Sequence, residues 1–209
     1  MKKLVFCSVT MKPVSAQDAD RAAYKSYNQS FPVSDRAVTY PINAYLEKTL
    51  TAEDELKVVM LVKRDKAGNY QINAQRFQQE LLAASEGIGA KIEFVTIETD
   101  FEEERAVHEQ LLGRIISEIG VGDHIVADIT YGPKDQTVLF FAALNFASKF
   151  LSCEVDRLIY GQVDFVNQRA TNHRICDVTP LYYFNSVIQT MPDVEPEQAK
   201  KLLQMLLSL

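Results

Sequence analysis

The chain has 209 residues, 47% of them hydrophobic, and a formal net charge of −6. This length suits one large domain with small appendages and is too short for two ordinary domains. The acidic balance excludes a general binder of long nucleic acid, which needs a broad basic surface, but it allows a small anionic ligand in a local pocket. No run approaches the roughly 18 uninterrupted apolar residues that a membrane span needs, so we predict a soluble protein without a membrane partner.

The N-terminus is predicted to form the first strand rather than a targeting signal. Residues Met1 to Cys7 begin with a basic stretch, but Ser8 and Thr10 interrupt the apolar run, which is too short for a signal peptide. Three cysteines lie far apart without a C-x-x-C pair: Cys7, Cys153 and Cys176. They indicate neither a disulfide framework nor a structural zinc site, so a reducing cytoplasm is the expected location.

Short apolar runs typical of strands alternate with longer helical patterns. Strands are predicted at Leu4 to Val9, Lys57 to Val62, Ile92 to Ile97, His124 to Ala127 and Val155 to Tyr160. Helices are predicted at roughly Ala37 to Leu50, Asn73 to Glu86, Phe101 to Ile119 and Lys134 to Phe150. This alternation predicts an α/β fold of the Rossmann-like, three-layer, doubly wound type, with a mostly parallel sheet covered by helices on both faces.

Two segments lie outside this alternation. Residues Lys12 to Arg36 form a long polar connection, which is either a functional cover or partly disordered. Residues 179–209 are predicted to form a short helical appendage to a domain of residues 1–178. The last helix carries a leucine stripe: Leu202, Leu203, Leu206 and Leu207. The stripe either packs on the domain's own core or forms a dimer contact.

The junction from Asp128 to Lys134 follows the fourth predicted strand and opens the fourth helix. Gly132 suits a tight turn, and Pro133 suits the first helical position because it lacks an N–H group. The start of a helix presents free N–H groups and the positive end of its dipole, with Thr130 and Lys134 beside them. We interpret the junction as a phosphate-binding loop, in which Asp128 bonds local N–H groups rather than doing chemistry.

The expected topology selects the same loop independently. In a doubly wound sheet of order 3-2-1-4-5, ligands bind beyond the carboxyl ends of strands 1 and 4. The loops that follow these strands are rich in hydroxyl groups and each carries one lysine, which is the chemistry of phosphate recognition. The predicted ligand-binding residues are Ser8, Thr10, Lys12, Thr130, Tyr131, Gly132, Lys134 and Gln136.

Other site classes find less support in the sequence. The single G-x-G, from Gly87 to Gly89, precedes the third strand and indicates a helix cap and turn rather than a dinucleotide site, and no P-loop motif exists. The histidines His108, His124 and His173 have no carboxylate or cysteine at metal-ligand spacing, so neither a metal site nor a cofactor is predicted. The acidic run from Asp100 to Glu104 is interpreted as the first turn of a helix.

The stretch Asp128-Ile129-Thr130-Tyr131-Gly132, the apolar helix after it, the strand end Tyr160-Gly161 and the later Asp177-Val178-Thr179 resemble the CRISPR-associated Rossmann fold (CARF) proteins with a D-x-T-H-G motif. The resemblance covers most of the chain. It implies a homodimer that binds cyclic oligoadenylate, usually the tetra-adenylate, across its two-fold axis. Tyr131 replaces the family's histidine, and Pro133-Lys134 replaces a common Phe-Arg.

The resemblance also implies an activity. A chain without a fused effector domain looks like either a ring nuclease or a sensor that signals to another chain. Ring opening needs no metal if a ribose 2′-OH attacks its own phosphodiester, leaving a 2′,3′-cyclic phosphate. In that hypothesis Lys134 and the N–H groups near Gly132 stabilise the transition state, while Ser8 and Thr10 orient the ring. Tyr131 would stack on adenine or contact ribose.

Overall fold

The computed structural model describes residues 1–12, 21–27, 31–66, 68–100, 102, 104–167, 169–191 and 193–207. The chain divides into two compact units, Met1–Thr179 and Pro180–Leu209. The first unit is an α/β domain built on a seven-stranded, mostly parallel sheet with flanking helices, as a Rossmann-like three-layer fold has. The predicted fold class is therefore confirmed.

The strands in chain order are β1 (Lys2–Ser8), β2 (Ala22–Ala23), β3 (Lys25–Ser26), β4 (Ala37–Val38), β5 (Glu55–Lys63), β6 (Lys91–Thr99), β7 (His124–Asp128), β8 (Glu154–Val166) and β9 (Arg169–Asp177). The large sheet has the order β3-β9-β8-β7-β1-β5-β6, and β2 pairs with β4 in a small second sheet. The five predicted strands correspond to β1, β5, β6, β7 and β8, which are mutually parallel. Their predicted order, 3-2-1-4-5, is confirmed.

The other end of the sheet was not predicted. Strand β8 continues to Val166, six residues past the predicted end at Tyr160, and pairs antiparallel with β9. Strand β3 then adds parallel to β9 at the edge. The sequence Arg-Ala-Thr-Asn-His-Arg-Ile-Cys-Asp of β9 is mostly polar, so it lacks the apolar run by which a buried strand is identified.

The helices are α1 (Pro41–Thr49), α2 (Asn69–Ala84), α3 (Arg105–Ser117), α4 (Lys134–Phe150), α5 (Thr179–Thr190) and α6 (Pro196–Leu207). Helix α4 has the bounds predicted for it, and α5 and α6 are the short C-terminal helices. Among the described residues, no helix has the length and apolar character that crossing a membrane requires.

Three predicted helix starts are corrected. Helix α1 begins at Pro41 rather than Ala37 because Ala37 belongs to β4. Helix α2 begins four residues before Asn73, directly after Gly68, whose φ of 70° ends the preceding turn. Helix α3 begins at Arg105, so the acidic run does not occupy its first turn. Phe101 and Glu103, which belong to that run, lie outside the described residues.

The core lies between the central strands and the helices that cover them. The run from Val58 to Val62 in β5 is fully buried, which is the pattern of a parallel strand with both faces covered. On one side of the sheet, Phe77 of α2 contacts the ring of Tyr40 edge-on at 4.9 Å between centroids. On the other side, Phe6 of β1 contacts Phe140 of α4 at 5.9 Å. These contacts fix the helices whose ends border the candidate site.

Candidate functional site

The two loops predicted to bind ligand lie side by side. Strands β1 and β7 are parallel neighbours, with Cys7 opposite Asp128 at their carboxyl ends. From β1 the chain proceeds to β5 and β6 on one side, and β7 and β8 lie on the other. The strand order therefore reverses between β1 and β7, and the crevice expected at such a point lies between the loops after these strands.

A buried carboxylate organises the loop after β7. Asp128 is 2% exposed, and its Oδ1 accepts a hydrogen bond of 2.8 Å from the Thr130 N–H and another from the Thr130 hydroxyl. The Thr130 oxygen in turn accepts the N–H of Gly161 in β8 at 2.7 Å. The interpretation of Asp128 as a turn-forming residue is confirmed, and Thr130 links the loop after β7 to strand β8 rather than starting a helix.

The same arrangement recurs one connection later. Asp177 accepts hydrogen bonds from the N–H group, at 3.0 Å, and from the hydroxyl of Thr179. The Thr179 hydroxyl then accepts the N–H of Leu158 at 2.8 Å. Strand β8 is therefore held on both sides by an Asp-x-Thr turn, one after β7 and one after β9.

Gly132 brings the two candidate loops into contact. Its φ of 97° lies in the left-handed region, which confirms the predicted tight turn. A Cβ at this position would lie 3.0 Å from Ser8 Oγ and would overlap the side-chain amide of Gln136. Pro133 is the N-cap rather than the first helical residue, so its predicted position is wrong by one residue and Lys134 begins α4.

The hydroxyl groups of the first loop are buried and already bonded. Ser8 is 2% exposed and accepts a hydrogen bond from the Gln136 side-chain amide. The oxygen of that amide, Gln136 Oε1, is buried and has no hydrogen-bond partner among the described residues. Thr10 is also buried, and its hydroxyl accepts the Lys12 N–H at 3.2 Å. A ligand can reach these hydroxyls only if the loops shift.

Two exposed lysines border this buried group. Lys12 extends the loop after β1, and Lys134 is the first residue of α4. At the start of a helix, Lys134 combines its own charge with the positive end of the helix dipole. Of the eight predicted residues, Ser8, Gly132 and Gln136 lie in contact and a hydrogen bond joins Thr10 to Lys12, whereas Thr130 bonds toward β8.

The Tyr131 side chain bonds outside the group formed by Ser8, Thr10 and Gln136. Its hydroxyl donates to the Thr39 carbonyl at 2.8 Å, and its ring meets Tyr40 edge-on at 5.6 Å. Burial raises the pKa of Tyr131 well above its usual value, with further contributions from Tyr24 and Asp128. The phenol is therefore a neutral donor at physiological pH, which argues against an acid or base role.

Part of the connection from Lys12 to Arg36 packs beside this tyrosine cluster. Tyr24 is buried and interacts with Tyr131, and its ring meets His173 edge-on at 5.4 Å. Tyr24 therefore covers part of the loop after β7. Residues 13–20 and 28–30 of the connection lie outside the described residues.

Asn73 is a site residue that the sequence did not identify. It is fully buried in α2, and its Nδ2 donates to the carbonyls of Thr10 at 2.7 Å and Lys12 at 3.0 Å. It therefore fixes the backbone of the loop after β1. A polar residue at the predicted start of a helix gave only the signal of an ordinary helix terminus.

The statement that the histidines lack carboxylate partners is corrected. His108 Nε2 lies 2.7 Å from Asp135 in α4, and His124 Nδ1 lies 3.1 Å from Asp156 in β8. The partners come from neighbouring elements about 30 residues away, so spacing along the chain could not identify them.

No protein-family profile matches the chain, and no curated protein matches it.

Replacing Gly132 by Ala should cost more stability than the same change at Gly122. Both glycines have a positive φ, but a Cβ at Gly122 meets no atom within 4 Å, whereas one at Gly132 overlaps Gln136. We expect Gly122→Ala to lower the free energy of unfolding by about 1 to 2 kcal/mol and Gly132→Ala to lower it by about 1 to 3 kcal/mol more, measured by urea unfolding. Equal losses would contradict the close packing of the two loops.

Asp128 should make the protein less stable as pH rises. Burial raises the pKa of Asp128 from 3.8 to about 6, although the Thr130 hydrogen bonds oppose the rise. Between these values the folded chain binds more protons than the unfolded chain, so this group's contribution to stability is lost with increasing pH. The contribution of Asp128 to the free energy of unfolding should fall by about 3 kcal/mol between about pH 4 and pH 7.

Urea unfolding of Asp128→Asn should show that, as pH rises from about 4 to 7, its free energy of unfolding increases by about 3 kcal/mol relative to that of wild type. The exposed Asp35→Asn variant is the matched control and should follow wild type. A constant difference between wild type and Asp128→Asn at all pH values would rule out an effect of Asp128 ionisation.

Proposed function

We propose that the protein binds a cyclic oligoadenylate, most readily the cyclic tetra-adenylate, as a homodimer in CRISPR type III signalling and cleaves it as a metal-independent ring nuclease. The observation that carries the proposal is the loop from Asp128 to Lys134 at the strand-order reversal. It has the sequence by which the chain resembles CARF proteins, and it leads to an exposed lysine at a helix start. The free cysteines agree with a cytoplasmic location.

The binding chemistry follows from charge. The chain is acidic overall, so a polyanionic ligand needs a local positive site rather than the general surface. Lys134 and the positive end of the α4 dipole supply such a site for one phosphate. A homodimer doubles these groups about its two-fold axis, which suits a ring with repeated phosphates.

In the proposed cleavage, a ribose 2′-oxygen attacks the adjacent phosphorus and the bond to the 5′-oxygen breaks. The products are a 2′,3′-cyclic phosphate and a 5′-hydroxyl, and the proton of the 2′-OH ends on the leaving oxygen or solvent. The protein contributes alignment of the attacking and leaving oxygens, together with positive charge from Lys134. Ser8 and Thr10 would orient the ring after Gln136 releases the Ser8 hydroxyl and the Lys12 N–H releases the Thr10 hydroxyl.

The burial of Ser8 and Thr10 favours a second candidate function. Because both hydroxyls are bonded within the protein, Lys134 is the one predicted catalytic side chain that is exposed. A non-catalytic sensor would need only the binding surface, and would act by shifting a dimer or a partner between two states. Binding is common to the two candidates, and turnover distinguishes them.

Incubation with cyclic tri-, tetra- and hexa-adenylate in EDTA tests the proposal, with products resolved by chromatography and mass spectrometry. Wild type should convert one ring size to linear products with 2′,3′-cyclic phosphate ends. Lys134→Ala should bind about tenfold more weakly and cleave about 100-fold more slowly, because a charged donor to the phosphate is lost.

Lys149→Ala is the matched control, since Lys149 is exposed on the same helix at its opposite end. It should behave as wild type. Tight binding of one ring without turnover would favour the sensor. Absence of both binding and cleavage in wild type, or wild-type behaviour of Lys134→Ala, would overturn the proposal.

A further inference from the structure

The amino-terminal edge of the sheet carries a cluster of one imidazole and two carboxylates: His124, Glu154 and Asp156. His124 is the first residue of β7, and Glu154 is the first residue of β8. Both strands run from this edge toward the candidate ligand site. The cluster therefore lies at the opposite edge of the sheet and has no part in the proposed ring binding.

The potential donor atoms are spaced as metal ligands are. His124 Nδ1 lies 3.1 Å from Asp156 Oδ1 and 3.9 Å from Glu154 Oε2, and one ligand atom of each residue lies within 4.8 Å of the others. Donors about 2.1 Å from a tetrahedral zinc ion are about 3.4 Å apart. The two distances from His124 bracket this value, and all three donor atoms lie close enough for side-chain rotation to bring them around one ion.

The local charge also favours a cation. Among the described residues, neither Glu154 nor Asp156 has a lysine or arginine within ion-pair distance. Lys3 of β1 pairs with His124 of β7, and its ammonium group forms an ion pair with Asp54 at 2.7 Å. The nearest arginine in sequence, Arg157, donates from Nη1 to the Asp156 main-chain carbonyl at 2.7 Å and pairs with the Asp177 carboxylate at 3.7 Å. In the part of the chain that the structure describes, His124 is therefore the only basic side chain within ion-pair distance of the two carboxylates.

The sheet holds the donors in place. His124 pairs with Glu154 in the parallel register. The register shifts after the next pair, so that Val126 pairs with Arg157. The extra residue in β8 is Asp156, which the bulge accommodates beside His124. His124 and Glu154 are thus the first residues of neighbouring strands, and Asp156 lies at the bulge in β8.

We propose that His124, Glu154 and Asp156 bind a zinc ion that links the starts of β7 and β8. One imidazole nitrogen and two carboxylate oxygens suit zinc better than magnesium or calcium, which prefer oxygen alone. The three side chains are 31%, 68% and 24% exposed, so water can complete a four-coordinate site. The expected consequence is a higher free energy of unfolding, because the ion would tie together the amino-terminal ends of β7 and β8.

Isothermal titration of the EDTA-treated full chain with zinc chloride, and thermal unfolding with and without zinc, test the proposal. Wild type should bind one zinc per chain at this site and unfold at a higher temperature in its presence. His124→Ala and Asp156→Asn should each weaken binding by at least about tenfold and lose the zinc-induced shift. Glu154→Gln should have a smaller effect in the same direction because Glu154 is the most exposed donor.

His173→Ala and Glu93→Gln are the matched controls, because they remove an imidazole and an exposed carboxylate elsewhere. Both should retain the zinc affinity and thermal shift of wild type. The shift is measured within each variant, so a variant that is less stable without metal remains informative. No zinc binding by wild type, or equal binding by all variants, would overturn the proposal and leave the cluster as an ion pair.

Discussion

The buried carboxylate of Asp128 is the constraint on which the candidate site depends. A carboxylate that is 2% exposed is costly unless hydrogen bonds compensate its lost hydration, and Thr130 supplies two such bonds. The Thr130 oxygen then receives the N–H of Gly161, so the loop after β7 is tied to β8. Gly132 follows at a fixed position, where only the absence of a side chain allows Ser8 and Gln136 to meet. The start of α4 is thereby placed beside the loop after β1.

This construction separates a rigid inner part of the site from an exposed outer part. The inner hydroxyls of Ser8 and Thr10 are bonded to the protein, and Asn73 fixes the backbone around them. The outer part consists of Lys134 and the N–H groups of the first turn of α4. An anion can bind to the outer part without any rearrangement, whereas a role for the hydroxyls in catalysis requires the inner hydrogen bonds to exchange. Gln136 Oε1, which has no hydrogen-bond partner among the described residues, can accept a hydrogen bond in such an exchange.

The sequence was sufficient for the features that depend on local pattern and was not sufficient for those that depend on register. Apolar runs identified the five parallel strands, and the turn at Gly132 with the apolar run after it identified α4 to its exact ends. The polar β9 strand gave no such signal, so the β8–β9 pair was missed. The cluster at His124 was missed because its partners lie on the next strand, where a parallel register and a bulge determine which residues meet. Likewise, hydroxyl-rich loops indicated phosphate chemistry, but the Ser8 hydroxyl is bonded to Gln136, and Asn73 bonds the main chain at Thr10.

The central claim is that the outer part of the site, presented twice by a homodimer, binds one cyclic oligoadenylate. Isothermal titration of wild-type protein with cyclic tetra-adenylate, at fixed salt and alongside sedimentation analysis of the free and bound protein, tests it most directly. The account predicts saturable binding of one ring per two chains, with the bound species sedimenting as a dimer. No binding at millimolar ligand, or one ring bound by each monomer, would contradict it.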